Sequence, residues 1–277
     1  MKNFLSFLCT LILPAALQGQ SLFDDAVSRH PRTYDVVHYN LVLSFDEEKK
    51  QVHGTAHITL TTLLQPLDTV ILDAVKMNIA SVLLSPATVL RFDSSPTDLK
   101  VFLQQPCLPL DTITLSVDYS CTPEKGLYFI QPDSGNMTRR WQIWTQGEEM
   151  ENQYWFPCYD FPDDKATSEV TATVRDRYGL LSNGRLMSET LDTTNHTRTF
   201  RWKQSKPHAA YLIMLAAGEY SILRDSTNGI PLLYYIYPED AREAARSFRK
   251  TPDMVKFFEQ VIGFPYPWEK YAQIIID

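Results

Sequence analysis

"VVHYNLVLSFDEEKKQVHGTAHITL", residues 36–60, decides the fold class. In its first half Val37, Tyr39, Leu41, Leu43 and Phe45 alternate with polar or small residues. A period of two is that of a strand with one face buried and one face wet. "DEEKKQ" then turns the chain, and Val52, Ala56, Ile58 and Leu60 resume the alternation on one side. The stretch therefore reads as a hairpin of two half-buried strands.

The same period runs on in "DTVILDAV", "LKVFL" and "DTITLSVDYS", where Ile113, Leu115, Val117 and Tyr119 share one parity. "SEVTATV", "TRTFRWKQ" and "AYLIMLAAGEYSIL" read as further strands, and "SPATV", "SSPTD", "QQPCLP" and "SNGRL" as the breaks between them. Many short strands at this spacing predict a mainly β, antiparallel domain of sandwich or saddle type over residues 20–225. Past residue 230 the period becomes helical. "PEDAREAARSFRK" spaces Ala241, Ala244, Ala245 and Phe248 along one face. In "TPDMVKFFEQVIG", Thr251 suits a cap, Pro252 the first turn and Gly263 the end. Met254, Val255, Phe258, Val261 and Ile262 form its apolar stripe. "AQIIID" starts another strand. Residues 226–277 read as the opening of an α/β domain whose remainder lies outside this chain.

A length of 277 residues, 44% apolar and 21% charged, suits a globular chain with a sizeable core. A net charge of −7 with scattered Lys and Arg argues against nucleic acid as partner. Residues 1–19, with Lys2 ahead of an apolar run from Phe4 to Leu13, read as a secretory signal peptide. That run is too short to span a membrane, so export to a periplasm or the extracellular space is expected. "NMT" at 136–138 and "NHT" at 195–197 are glycosylation sequons, meaningful in a eukaryotic secretory pathway. Export permits disulfides. Cys107 and Cys121 flank a strand and stand either as a pair or as free thiols, and Cys158 is expected to be buried and inert. His53 and His57 fall in a strand pattern, well separated on one face, which disfavours a metal site.

The acidic, aromatic stretch "TQGEEMENQYWFPCYDFPDDKATSEV", residues 145–170, is the candidate for chemistry. On the residues alone, Glu148, Glu149 and Glu151 are the solvated face of a polar loop. Phe156, Tyr159 and Phe161 are core. Asp160 is placed to cap the next turn, with Lys165 as partner for it or for Asp163.

Several pieces in order resemble the aminopeptidase N family of zinc aminopeptidases: "GLYF" (126–129), "TQGE" (145–148), "FPCYDFP" with "KAT" (156–167), "LSNG" (181–184), "YLIMLAAGEY" (211–220) and "IGFPYPWEKY" (262–271). The resemblance implies a β-saddle domain followed by a thermolysin-like domain, with G-x-M-E-N and H-E-x-x-H holding the substrate and the zinc. Neither motif is assigned here: H-E-x-x-H is absent, and "GEEMEN" at 147–152 lies upstream of the family's G-x-M-E-N position. The chain is therefore expected to carry no catalytic residue and no metal of its own, with zinc a cofactor of the full-length enzyme. The resemblance further implies that Gln146 and Glu148 enter the pocket for the α-ammonium of peptide N-termini, and Gly147 is expected to let the loop approach that substrate. The family has Ala-Arg where this chain has Asn152-Gln153, and an acid where it has Phe161, which suggests an internal ion pair removed. Two other readings stand beside the enzyme fragment: a non-catalytic scaffold or binding protein derived from the family, and an unrelated β-sandwich adhesion module.

Overall fold

The hairpin read from residues 36–60 forms as β1 (Tyr34–Asp46) and β2 (Gln51–Thr62). Tyr39, Leu41 and Leu43 on β1, and Val52, Ala56, Ile58 and Leu60 on β2, are all buried. One end differs from the alternation: Val36 is fully buried, whereas Val37 is 37% exposed. The register shifts between Val36 and His38 opposite β2, and a bulge there inverts the parity.

The structure is a computed structural model that describes residues 30–277 apart from 133, 134, 136 and 138. The signal-peptide segment 1–19 and the Asn136 sequon lie outside the described residues. Asn195 of the second sequon is exposed in a turn. Thr33–Asp277 form one compact unit.

The strands that follow are β3 (Leu67–Asp73), β4 (Asn78–Leu84), β5 (Thr88–Val89), β6 (Arg91–Ser94), β7 (Asp98–Cys107), β8 (Thr112–Cys121), β9 (Leu127–Ile130) and β10 (Gln142–Thr145). Then come β11 (Ala166–Arg175), β12 (Gly179–Ser182), β13 (Arg185–Asp192), β14 (Thr197–His208), β15 (Leu215–Gly218), β16 (Ser221–Thr227), β17 (Ile230–Ile236) and β18 (Tyr271–Ile274). An eight-stranded sheet runs β13-β14-β11-β1-β2-β8-β4-β5, a second runs β12-β15-β10-β9, and two three-stranded sheets run β3-β7-β6 and β16-β17-β18. The fold is thus mainly β, as the alternation predicts. It is not wholly antiparallel: β1 pairs β11 in parallel, and β17 pairs β18 in parallel. Parallel neighbours need a long connection between them, and more than a hundred residues separate β1 from β11.

One large core gathers the inner faces of these sheets, including Trp155, Phe156, Leu180 and Ile213. A second, smaller cluster is built on Leu232, Tyr234, Ile236, Ala244 and Val255. It sits under helices α1 (Ala241–Ser247) and α2 (Thr251–Ile262). Gly263 ends α2 in the left-handed conformation at φ 72°, as its position suggested. Thr251 does not cap the helix. The preceding 3₁₀ turn Phe248–Lys250 runs straight into it, and the Thr251 hydroxyl donates instead to Gln273 Oε1 at 3.2 Å. Only Val255 of the apolar stripe is buried; Met254, Phe258, Val261 and Ile262 are 56–70% exposed.

Two other local readings change, and one left open is settled. β7 continues through Pro106, because β6 pairs only as far as Phe102 and the missing N–H falls where one neighbour has ended. "AYLIMLAAGEYSIL" is not one strand: a 3₁₀ turn at Ala210–Leu212 precedes β15, and the chain breaks again before β16. Cys107 and Cys121 are free thiols, on strands of different sheets. Burial pushes the Cys121 thiol up to about 12. Cys158 is fully buried, as expected.

Candidate substrate-recognition site

β10 lies between β15 and β9 and delivers the chain to the Thr145–Glu148 loop. Thr145 fastens its end: Oγ1 accepts from Leu215 N at 3.0 Å and donates to Leu215 O at 3.3 Å. Gln146 N then donates to Gly126 O at 2.9 Å, and Glu151 N donates to Gly147 O at 2.8 Å. Gly126 has φ 74° and lies so close to Glu151 that a Cβ would stand 2.0 Å from its carbonyl oxygen. The loop is therefore held at its backbone on both sides.

Asn152 is the anchor beneath it. Its side chain is fully buried. Nδ2 donates to Ala210 O at 2.6 Å and to Ile213 O at 3.0 Å, while Oδ1 accepts from Trp155 Nε1 at 2.8 Å. Three of the four bonds the amide can make are thereby formed, in a place that water does not reach. Gly147 faces inward against this anchor. A Cβ there would lie 2.4 Å from Asn152 Oδ1 and 2.4 Å from Tyr211 O. The glycine is thus required by the protein's own packing.

Gln146, Glu148 and Glu149 all point outward and are exposed. None of the three makes a side-chain hydrogen bond or ion pair with a described residue, whereas Glu151 is half-buried and pairs with Lys125 at 3.2 Å. The structure brings Gln146 and Glu148 together on one short loop. It places Glu149 beside them in an equally exposed position, so burial does not separate the two glutamates.

Below the loop Asp160 is 1% exposed and does not meet Lys165, which is exposed. Asp160 Oδ2 accepts from Gln153 N at 3.0 Å, and Asp160 N donates to Asp73 Oδ2 at 3.0 Å. Asp160 Oδ1 is buried with no partner. Burial, then the nearby Asp73, push its pKa to about 8, against the opposing hydrogen bond from Gln153. The Gln153 side chain beside this acid is neutral and donates through Nε2 to Met150 O at 2.6 Å. Phe156 and Tyr159 are core, and Phe161 is half-buried against it.

A network that the sequence did not announce joins β10 to the chain end. Gln142 Nε2 donates to the Tyr220 and Tyr237 hydroxyls at 3.0 and 2.9 Å, and its Oε1 accepts from Asp277 N at 3.0 Å. Tyr237 in turn donates to Asp277 Oδ1 at 2.9 Å. The segment after β18 is thereby tied to the strand that leads into the loop of Gln146 and Glu148.

Among the described residues His30, Asp73 and Asp98 bring three possible ligand atoms within 4.8 Å of one another, a group with a single His. His38, His57 and His208 are engaged separately, by Thr167, Ser116 and Ser168. No H-E-x-x-H spacing occurs in the sequence.

Residues 35–212 match the model of the Peptidase M1 N-terminal domain. Human (Homo sapiens) glutamyl aminopeptidase is 33% identical over 122 residues, covering 44% of this chain and 13% of that protein. Transcription initiation factor TFIID subunit 2 of Gallus gallus is 25% identical over 171 residues, 61% of this chain and 15% of that protein. The chain thus spans less than a fifth of the length of these relatives. An M1 zinc metallopeptidase mutant from Deinococcus radiodurans, solved with a Tyr-Ser-Ala substrate, shares the fold with a TM-score of 0.74 at 22% identity, over 88% of this chain and 57% of that one. With the family model matched across most of its β strands, the chain belongs to the M1 peptidase family, aminopeptidase N type, through its N-terminal domain.

Proposed function

We propose that this chain is the N-terminal, substrate-recognising portion of an exported zinc aminopeptidase that removes residues from peptide N-termini. The carrying observation is the outward presentation of Gln146 and Glu148 on a loop pinned by Thr145, Gly126 and Asn152. A carboxylate held by a rigid loop suits a charge-assisted hydrogen bond to an α-ammonium, and the Gln146 amide is placed to share it. Neither group breaks a bond in the substrate; they fix its charged end. In this proposal the zinc belongs to a catalytic portion outside residues 1–277, residues 226–277 open that portion, and residues 1–19 direct export. The chain alone then holds no stoichiometric zinc and turns over no aminoacyl anilide.

The kinship with a TFIID subunit favours one second reading, a scaffold that kept the β domain without peptidase chemistry. Both are tested in the protein as its whole gene encodes it. The first reading expects one zinc per molecule and anilide turnover. Within that protein, Glu148→Ala removes the partner of a desolvated ammonium, a loss of roughly 2–5 kcal/mol. It is expected to lower kcat/KM at least tenfold, with Glu149→Ala nearly silent. Equal, small effects at the two positions would return the loop to a solvated surface, and a protein with neither zinc nor turnover would favour the scaffold.

A further inference from the structure

From Gln142 to Trp144, β10 is paired on both edges, with β15 on one side and β9 on the other. Glu148 follows Gln142 by six positions, at most about 20 Å of extended chain. The near end of this path is pinned by Thr145 on Leu215. At the far end, four hydrogen bonds fasten the segment that leaves β18. Tyr220 donates to Ile275 O at 3.0 Å, and Asp277 N donates to Gln142 Oε1 at 3.0 Å. The Asp277 carboxylate accepts from Tyr237 at 2.9 Å and from Arg140 N at 3.3 Å. Gln142 is 1% exposed, and its Nε2 holds both tyrosine hydroxyls. The two tyrosine rings stack at 6.1 Å, and the Arg140 guanidinium lies 4.5 Å over Tyr237.

A peptide whose amine is fixed by Glu148 reacts only if the groups that act on its first peptide bond stand at a fixed spacing from that carboxylate. In the proposed function those groups follow Asp277, so the spacing is set where Asp277 meets β10. A buried amide with three of its four bonds made has one satisfied arrangement, and a buried polar network of that kind is rigid. We propose that Gln142 and Tyr237 are positioning residues of the aminopeptidase, which lock the start of the catalytic portion to the strand that leads into the amine-binding loop. Neither side chain meets substrate in this proposal. Each acts through the place in which it holds Asp277. The inference rests on the reading of Glu148 as the amine anchor.

The test is a double-mutant cycle in the protein as its whole gene encodes it, read as kcat/KM on an aminoacyl anilide. Gln142→Leu removes all three bonds of the amide, and Tyr237→Phe removes the bonds to Gln142 and Asp277 while keeping the ring stack. Each alone is expected to lower kcat/KM at least about tenfold. In a Glu148→Ala background the same changes are expected to cost less than about twofold, because a loop that no longer holds the amine gains nothing from correct spacing. Asp277→Asn keeps an acceptor for Tyr237 and is expected to stay within about threefold of the parent, whereas Asp277→Ala falls like Tyr237→Phe. Tyr178→Phe removes another buried hydroxyl bond, the one to Glu47, and is expected to lower the melting temperature with kcat/KM unchanged. If Gln142→Leu fails to fold, Tyr237→Phe carries the cycle. Losses that add to that of Glu148→Ala, or a Tyr237→Phe that turns over like the parent, would overturn the positioning role and leave Glu148 as the anchor. A silent Glu148→Ala would remove the anchor reading and this inference with it.

Discussion

Asn152 Nδ2 donates to the carbonyl of Ala210 across 58 positions of sequence, at 2.6 Å and out of reach of water. This one contact couples the Thr145–Glu148 loop to the turn before β15. Exposed glutamates are held in place from behind, by a neutral amide.

Asn152→Ala takes the side-chain donor from the Ile213 carbonyl and the acceptor from the Trp155 indole N–H, both buried, at about 1–3 kcal/mol each before relaxation, while the Ala210 carbonyl keeps the Ile213 N–H. The expected loss of stability in urea unfolding is at least about 2 kcal/mol. Gly147→Ala is expected to be comparably harmful, because its Cβ meets the Tyr211 backbone as well as Asn152. If Gly147→Ala unfolds at the parent's urea midpoint, the packing described around this glycine is wrong.

Asp160 gives the fold a pH dependence of its own. Its native pKa, near 8, lies above the unfolded value of about 3.9. Between those values the native state holds a proton that the unfolded chain releases, so this contribution is full below about pH 4 and is lost as pH rises toward 8. Asp160→Asn keeps the acceptor for Gln153 N–H and removes the titration. It is expected to be more stable than the parent at pH 8, by an amount on the order of 3–5 kcal/mol, with a flatter profile from pH 4 to 8. Gln153→Arg, which places a cation beside the buried acid, is expected to reverse the slope. Chemical denaturation across that range decides; parallel profiles for parent and Asp160→Asn would count against the buried acid.

The helices after Ile236 rest on a small cluster while α2 exposes Phe257, Phe258, Val261 and Ile262 at 56–70%. Each Å² of such apolar area left in water forgoes roughly 25 cal/mol. Limited trypsin digestion is expected to cut first at Lys250 or Lys256. A core extending through β17 should persist, because Tyr235 belongs to the main cluster. First cuts inside the β sheets would instead place the weakest part elsewhere.

What the sequence made legible was set by the range of the interactions. Alternation within β2 predicts every buried position from Val52 to Leu60, because strand parity is local. Val36 escaped it, since a bulge depends on the partner strand. The outward loop carrying Gln146 and Glu148 came from a resemblance, and its anchor did not. Nothing near Asn152 in sequence names Ala210 or Ile213, and nothing near Gln142 names Asp277.

The parallel seam between β1 and β11 has a consequence for synthesis on the ribosome. Strands β1, β2, β4, β5 and β8 emerge within residues 34–121, and β11, β13 and β14 within 166–208. Each group pairs internally from nearby chain, yet the two halves of the large sheet meet only along that seam. Until residue 175 has cleared the exit tunnel, the edge of β1 is an open row of backbone donors and acceptors, the kind of edge that recruits other chains. Pairing with β11 closes that edge, and a slow-codon pause just before residue 166 would lengthen its exposure.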